Sequence, residues 1–410
     1  MKLALNNNVY LVNGAVYDCI YDLNTLQLYR FNKNVSDFIK AICSKAVSKD
    51  VYNEPQKVQL IRHLLKEGVL YDTDTNTPPM AVIEKNPTKK IEIAWLEITQ
   101  FCNFQCIHCY EGAKAKFSMS FEDVINCIDL LCAQKIKHLH IIGGEPMIHP
   151  HIETILEHCF EKFETFSIYT NASVITPRIC DRLKRLNATV FVSLNSDVEK
   201  DFEQVTCTKN MFQAVLNGID MLRQFELDVV IKKVAMHGIS VSPKYETFFG
   251  SFGGYPVLVG NANLSQYSDD MLKNKIITEK YFFGKLDAEC VLINMQENYC
   301  FRNRLYIDVF GDMYPCAMER RIKYGNIFTV PFQSIYKSPA RTATKDHVYD
   351  CQHCEYRYAC NTCYVDTLSQ DFYAKPWFCS YDPLKGVWQP FEEYVQRIKG
   401  SDSDNQISSK

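Results

Sequence analysis

The chain has 410 residues, 47% of them hydrophobic, and a formal net charge of −3. That length admits two or three domains with real cores, and a near-neutral balance without a concentrated Lys/Arg block argues against a nucleic-acid partner. No run of about 18 apolar residues is present to cross a membrane, and the opening "MKLALNNNVYLVNG" lacks the apolar core of a signal peptide, so a cytoplasmic chain without membrane contact is expected.

Residues 1–74 begin with "NVYLVNGAVYDCIYDLNTLQLYRFN", in which Asn13-Gly14 sits between alternating apolar runs and "DLNTLQ" offers a second turn; a three-stranded meander is predicted. "VSDFIKAICSKAV" and "PQKVQLIRHLLKEGVL" follow with helical spacing, the second opened by a proline and closed near Gly68. Strands followed by short helices suggest a small winged-helix-like domain. Nine Lys+Arg against seven Asp+Glu over residues 1–72 is too little basic character for DNA. Residues 75–90 are polar and proline-bearing and read as a linker.

From Ile91 strands and helices alternate. "IEIAWLEIT", "HLHIIGG", "TFSIYTN", "ATVFVSLN", "DVVIKKVAM" and "YPVLVGN" read as six strands with helical crossovers, a parallel sheet curled into a full or partial barrel over 91–280. Site residues then belong at the strands' C-terminal ends. Residues 281–395 are cysteine-rich, and 396–410 read as a disordered tail.

Eighteen cysteines in a reducing compartment point to metal clusters rather than disulfides. Seven of them, Cys19, Cys43, Cys127, Cys132, Cys159, Cys180 and Cys207, are scattered among apolar residues and read as small buried hydrophobes. "CNFQCIHC" is different. Cys102, Cys106 and Cys109 form a trio with no fourth cysteine nearby, directly after the first strand of the barrel. A closed zinc site wants four ligands, whereas three leave a coordination position open for chemistry.

"CNFQCIHCY", followed by "GGEP" (Gly143, Gly144, Glu145, Pro146), "TN" (Thr170, Asn171) and "SLNS" (Ser193 to Ser196) at successive strand ends, resembles the radical S-adenosylmethionine (SAM) superfamily over roughly residues 91–262. The resemblance implies that the trio holds three irons of a 4Fe-4S cluster, leaving the fourth to chelate SAM, whose reductive cleavage gives a 5′-deoxyadenosyl radical. It implies backbone approach to the methionyl end at Gly143 and Gly144, and a carboxylate for the ammonium at Glu145. Adenine packing falls to His108 with Tyr110 beside it, and ribose or carboxylate contacts to Ser193 and Asn195. The family's usual Asp and Gly are Asn195 and Ser196 here.

Further on, Cys300-x10-Gly311-x4-Cys316, Cys351-x2-Cys354-x5-Cys360-x2-Cys363 and Cys379 resemble the SPASM extension of peptide-modifying radical SAM enzymes, with one gap a residue shorter than usual. With Cys290 there are eight thiolates, enough for two auxiliary 4Fe-4S clusters and three clusters in all. By resemblance Cys290, Cys300, Cys316 and Cys363 hold one, and Cys351, Cys354, Cys360 and Cys379 the other. Residues 1–74 in turn look like the precursor-recognition element of pathways that modify ribosomally made peptides, in which a leader peptide adds as a strand.

The implied activity is a radical SAM peptide maturase that takes electrons from a flavodoxin- or ferredoxin-type donor and installs a cross-link, by expectation a thioether. Where the sulfatase-maturase branch carries a catalytic Asp after the cysteine of "G-x4-C", this chain has Ala317, and alanine is no base. Carbon–carbon cross-linking and sulfatase-maturase-like oxidation are the alternatives within enzymology. From another class, the rival is an iron-sulfur regulator whose first domain binds DNA.

Overall fold

The computed structural model describes residues 2–44, 53–75, 90–109, 116–245, 252–254, 264, 267–282 and 284–407. The chain divides into two compact units. One comprises Met1–Thr88, Ile276–Tyr299 and Ala343–Lys410, the other Lys89–Lys275 and Cys300–Thr342. This differs from the three consecutive domains expected from the sequence, because the cysteine-rich stretch is shared between the units.

The first unit opens with β1 (Leu3–Leu5), β2 (Val9–Asn13), β3 (Tyr17–Asp22), β4 (Gln27–Asn32), α1 (Lys33–Ser44), α2 (Pro55–Lys66) and β5 (Leu70–Asp72). β2, β3 and β4 form the antiparallel meander, and a separate pairing of β1 with β5 closes the segment. At the second turn the Asp22 carboxylate accepts from the amide of Asn24 (2.9 Å) and the hydroxyl of Thr25 (2.7 Å), a local alternative to strand pairing that ends β3.

The central strand "YDCIYD" is buried at five of its six positions, because the meander is covered on both faces. Ile20 packs with Ile39, Ile42, Ile61 and Leu64 of the helices. Cys19 and Tyr21 point the other way, into a core with Leu286, Val291, Leu292, Tyr356 and Tyr381. The N-terminal segment and parts of the cysteine-rich stretch therefore share one core. The expected disordered tail begins inside a helix, Phe391–Ile407, whose Tyr394, Val395 and Ile398 are buried at helical spacing.

The second unit is built on β6 (Ile93–Thr99), α3 (Phe121–Ala133), β7 (His138–Gly143), α4 (Ile152–His158), β8 (Thr165–Thr170), α5 (Pro177–Arg185), β9 (Thr189–Ser193), α6 (Glu199–Thr206), α7 (Phe212–Gln224), β10 (Asp228–Val234), β11 (Phe252–Gly254), β12 (Arg304–Ile307), β13 (Asp312–Tyr314) and β14 (Gly325–Asn326). Its nine strands run in the order β11-β10-β9-β8-β7-β6-β12-β13-β14, parallel from β11 through β12 and antiparallel beyond. β12 pairs in parallel with β6, placing Leu305 opposite Ala94. That backbone pairing is why residues 300–342 join this unit; with β7 on one edge of β6 and β12 on the other, the sheet is an open, partial barrel among the described residues. The sixth strand expected at "YPVLVGN" lies outside the described residues.

Helices start where local chemistry provides caps. Ser120 accepts from the Asp123 amide (3.1 Å) ahead of α3, and Thr176 from the Ile179 amide (3.3 Å) ahead of α5, whose first residue is proline. One sheet face, with Leu96, Ile98, Leu139, Ile141, Ile168, Val190, Val192 and Ile231, is buried. Burying such side chains contributes roughly 1.5–3 kcal/mol each.

Candidate functional site

Cys102 follows β6 by three residues, at the C-terminal end of the parallel strands. Two glycines hold its loop. Gly144 N–H donates to the Thr99 carbonyl (2.7 Å) and Glu145 N–H to that of Phe101 (2.8 Å). A Cβ at Gly143 would lie 2.2 Å from the Thr99 oxygen, and one at Gly144 2.3 Å from the Phe101 oxygen. These glycines let the turn after β7 press on the backbone entering the cysteine loop, a contact within the protein that the ligand-facing expectation missed.

Glu145 is fully buried. Its carboxylate accepts from the amides of Met147 (3.0 Å) and Asn171 (2.6 Å) and from the Thr170 hydroxyl (2.7 Å). Burial pushes its pKa up to about 7, against the downward pull of those donors. The expected partner for an ammonium is thus engaged in tying the end of β7 to the end of β8. Pro146 opens the short turn Pro146–Ile148 behind it. Asn171 carries the connection on: its amide donates to Asn103 Oδ1 (2.8 Å) and reaches Cys102 Sγ (3.9 Å), while the Phe104 amide donates to the same sulfur (3.3 Å).

Burial raises the thiol pKa of Cys102 and pushes that of Cys106 up to about 12, with the neighbouring thiols adding to both. Cys109 is exposed. His108 lies between Cys106 and Cys109 in sequence; its Nδ1 is buried without a hydrogen-bond partner among the described residues, and burial holds the ring below its ordinary pKa. Tyr110 lies outside the described residues.

The two residues expected at the ribose or carboxylate lie at and just beyond the end of β9. Asn195 is buried and its Oδ1 accepts from the Val234 amide (2.8 Å), so its side chain closes β9 against β10. Ser193 is exposed at the end of β9, opposite Lys232.

The sequence reading missed two features. Cys207 is exposed, in a left-handed conformation at the end of α6, close enough for its charge to bear on Cys106. On the sheet face opposite the helices, Trp95, His140, Tyr169 and Phe191 form a ladder, with ring centroids 4.6, 6.1 and 4.6 Å apart. Arg304 lies over Trp95 and Lys232 over Phe191 at its ends. The signal was available as one aromatic ring in each of four successive predicted strands, on the face that alternates with the buried aliphatic one. Burial, with the charges of His138 and Arg304, lowers the His140 pKa to about 4, so the ladder's imidazole is neutral.

In the first unit Cys351, Cys354, Cys360 and Cys379 are gathered closely enough that their charges act on one another, and burial raises the pKa of Cys351, Cys354 and Cys379. Cys290 and Cys363 belong to this unit also, Cys300 and Cys316 to the other.

Residues 96–247 match the model of the radical SAM superfamily, and 300–364 that of SPASM, an iron-sulfur cluster-binding domain. The chain carries a radical SAM domain followed by a SPASM domain. It is 23% identical over 323 residues, 70% of either chain, to AlbA, the antilisterial bacteriocin subtilosin biosynthesis protein of Bacillus subtilis. It is 28% identical to a GTP 3′,8-cyclase of Campylobacter lari over 55% of this chain and 80% of that one. Among solved structures, native anSMEcpe with bound AdoMet superposes with a TM-score of 0.53 at 14% identity, over 76% of this chain and 99% of that one, which supports the fold.

Both domains imply 4Fe-4S clusters and SAM, and the donors of this radical SAM domain fit such a group. No three His, Cys, Asp or Glu side chains among the described residues converge on a single ion. Thiolates serving three separate irons need no such convergence. The N–H groups directed at Cys102 Sγ suit a sulfur that carries negative charge, and the orphaned His108 Nδ1 is a buried polar atom awaiting a partner.

Proposed function

We propose that this radical SAM protein installs an intramolecular thioether in a ribosomally made precursor peptide that binds through the N-terminal domain. Cys102, Cys106 and Cys109 hold the SAM-ligating cluster, and eight further cysteines hold two auxiliary ones. When bound, these groups supply the 5′-deoxyadenosyl radical and a sink for the electron left when a carbon–sulfur bond closes. The protein's own part is to fix the trio's loop through Glu145, Thr170 and Asn171, and to withhold a base.

That last point carries the thioether reading. Ala317 occupies the position of the sulfatase-maturase Asp, and the carboxylates that flank it in sequence are engaged. Glu319 is buried against Arg321 (3.0 Å from Nε) and accepts from the Arg321 amide (3.0 Å). Asp312 accepts from Asn326 (2.9 Å) and pairs with Lys323 (2.5 Å). A substrate carbon oxidised here lacks the sulfatase-maturase Asp as the base that takes its proton towards an aldehyde, whereas a peptide thiol brings its own nucleophile. The similarity to a subtilosin biosynthesis protein accords with a peptide substrate. Among the described residues no helix is long and apolar enough to cross a membrane.

The test is mass spectrometry of co-expressed precursor, in which each link removes a pair of hydrogens and leaves one cysteine resistant to alkylation. A modified product in which every cysteine still alkylates excludes the thioether. A reduced protein that never cleaves SAM excludes the enzyme altogether.

A further inference from the structure

The turn of the N-terminal meander lies on the cysteine-rich loop at residues 353–357. Ala15 N–H donates to the His353 carbonyl (2.8 Å), Tyr21 hydroxyl to the Glu355 carbonyl (2.7 Å), and Arg357 donates back to the Asn13 carbonyl (2.6 Å). The turn residue must be glycine, since a Cβ at Gly14 would sit 2.9 Å from the Glu355 amide nitrogen. Glu355 follows Cys354 directly and is fully buried. Its Oε1 accepts from Arg30 Nε (2.9 Å) and from the Tyr381 hydroxyl (2.6 Å). Arg30 reaches further, donating to Tyr381 Oη and to the Gly386 carbonyl (3.1 Å each), with its guanidinium 3.7 Å from the Tyr17 ring centroid.

A buried carboxylate beside a thiolate ligand is unfavourable for the thiolate unless a cation neutralises it, and Arg30 is that cation, supplied by a strand more than three hundred residues away. The planar fork of a guanidinium is well shaped for this role, because one edge takes the carboxylate while the face takes an aromatic ring.

We propose that Arg30 is a positioning residue for the cluster held by Cys351, Cys354, Cys360 and Cys379, so that the N-terminal meander forms part of that cluster's supporting shell. The inference rests on reading those four cysteines as ligands, and it is independent of which bond the enzyme makes. A meander built into the cluster's surroundings also gives a bound leader peptide a direct route to the cluster's potential, through the charge and burial that set such potentials.

The test compares Arg30→Gln, Arg30→Lys and Glu355→Gln in the full-length, reconstituted protein by iron content, EPR and potentiometry. Removing the cation should lower the midpoint potential of one auxiliary cluster, or empty it, with loss of about four of about twelve irons. Removing the anion should raise that potential. Arg30→Lys should recover most of the iron but not the wild-type spectrum. Opposite-signed shifts confined to one cluster, or its selective loss, support the proposal; iron content, spectra and potential at wild-type values in all three variants overturn it. 5′-Deoxyadenosine formation at the first cluster, measured alongside, reports separately on the proposed function.

Discussion

The loop of Cys102 and the loop of Cys354, both proposed as iron-ligating, are two solutions to one problem, holding a cysteine-bearing segment still. In the radical SAM domain the support is local: a buried Glu145 braces the ends of adjacent parallel strands, and two glycines let neighbouring backbones touch. In the first unit the support is imported, since Glu355 beside Cys354 is held by Arg30, Tyr21 and the turn at Gly14. The parallel sheet repeats its strand ends side by side, so a short side chain can bridge them. Short loops without a sheet of their own must borrow rigidity from elsewhere.

One buried carboxylate from each unit, Asp18 and Glu145, shows a contrast in electrostatics. Asp18, at the start of β3, is desolvated, yet Lys33, Ser36 and Lys40 outweigh burial and hold its pKa down at about 2. Glu145 has only neutral donors, and burial wins.

The largest expected effect comes from removing residues 1–84. As a detachable recognition element this segment would leave the cysteine-rich region intact, but it shares a core in which Val12, Cys19, Tyr21 and Leu23 pack on Leu286, Val291 and Tyr356. Emptying that core exceeds a domain's usual margin of about 5–15 kcal/mol. The truncated protein should be insoluble or lack the iron of the first unit, and a soluble protein with full iron content would erase the contrast between imported and local support.

Next is the replacement of Cys102, Cys106 and Cys109 together by Ala. About a third of the iron and all 5′-deoxyadenosine formation should disappear, while the other clusters' EPR signals remain. Residual SAM cleavage would defeat the assignment of the trio.

Glu145→Ala should be milder for the fold and still severe for turnover. It strands the donors of Thr170, Asn171 and Met147, for a loss of about 3–9 kcal/mol at roughly 1–3 kcal/mol per buried unsatisfied group, with the first cluster's iron and SAM cleavage reduced while the auxiliary signals persist. Chemical denaturation and product assay check the two parts.

The smallest effect is a pH dependence of opposite sign in the two units. Asp18 has a depressed pKa, so its stabilisation is complete above the unfolded value of about 4 and is lost as pH falls towards about 2. Asp18→Asn should flatten that limb of the acid-unfolding curve. Glu145 has a raised pKa, so the cluster-free protein should gain stability as pH falls from about 7 towards about 4, an increment that Glu145→Gln removes.

Sequence alone was enough to set the radical SAM and SPASM domains and the meander, and to single out the cysteines proposed here as ligands, because strand periodicity, turn residues and ligand spacing are written in short windows. It also identified Glu145, Thr170 and Asn171 as neighbours at strand ends, though not what they do. Tertiary structure decided that Glu145 braces the loop, that Asn195 serves β10, and that the helix Phe391–Ile407 replaces a disordered tail, since each depends on which partners fill a buried atom's hydrogen bonds or cover an apolar side chain. It alone decided that β12 enters the parallel sheet and that Arg30 meets Glu355. Pairings across hundreds of residues leave no local period in a chain; they arise when buried charge and unpaired backbone must each find a partner, and the folded core determines which are within reach.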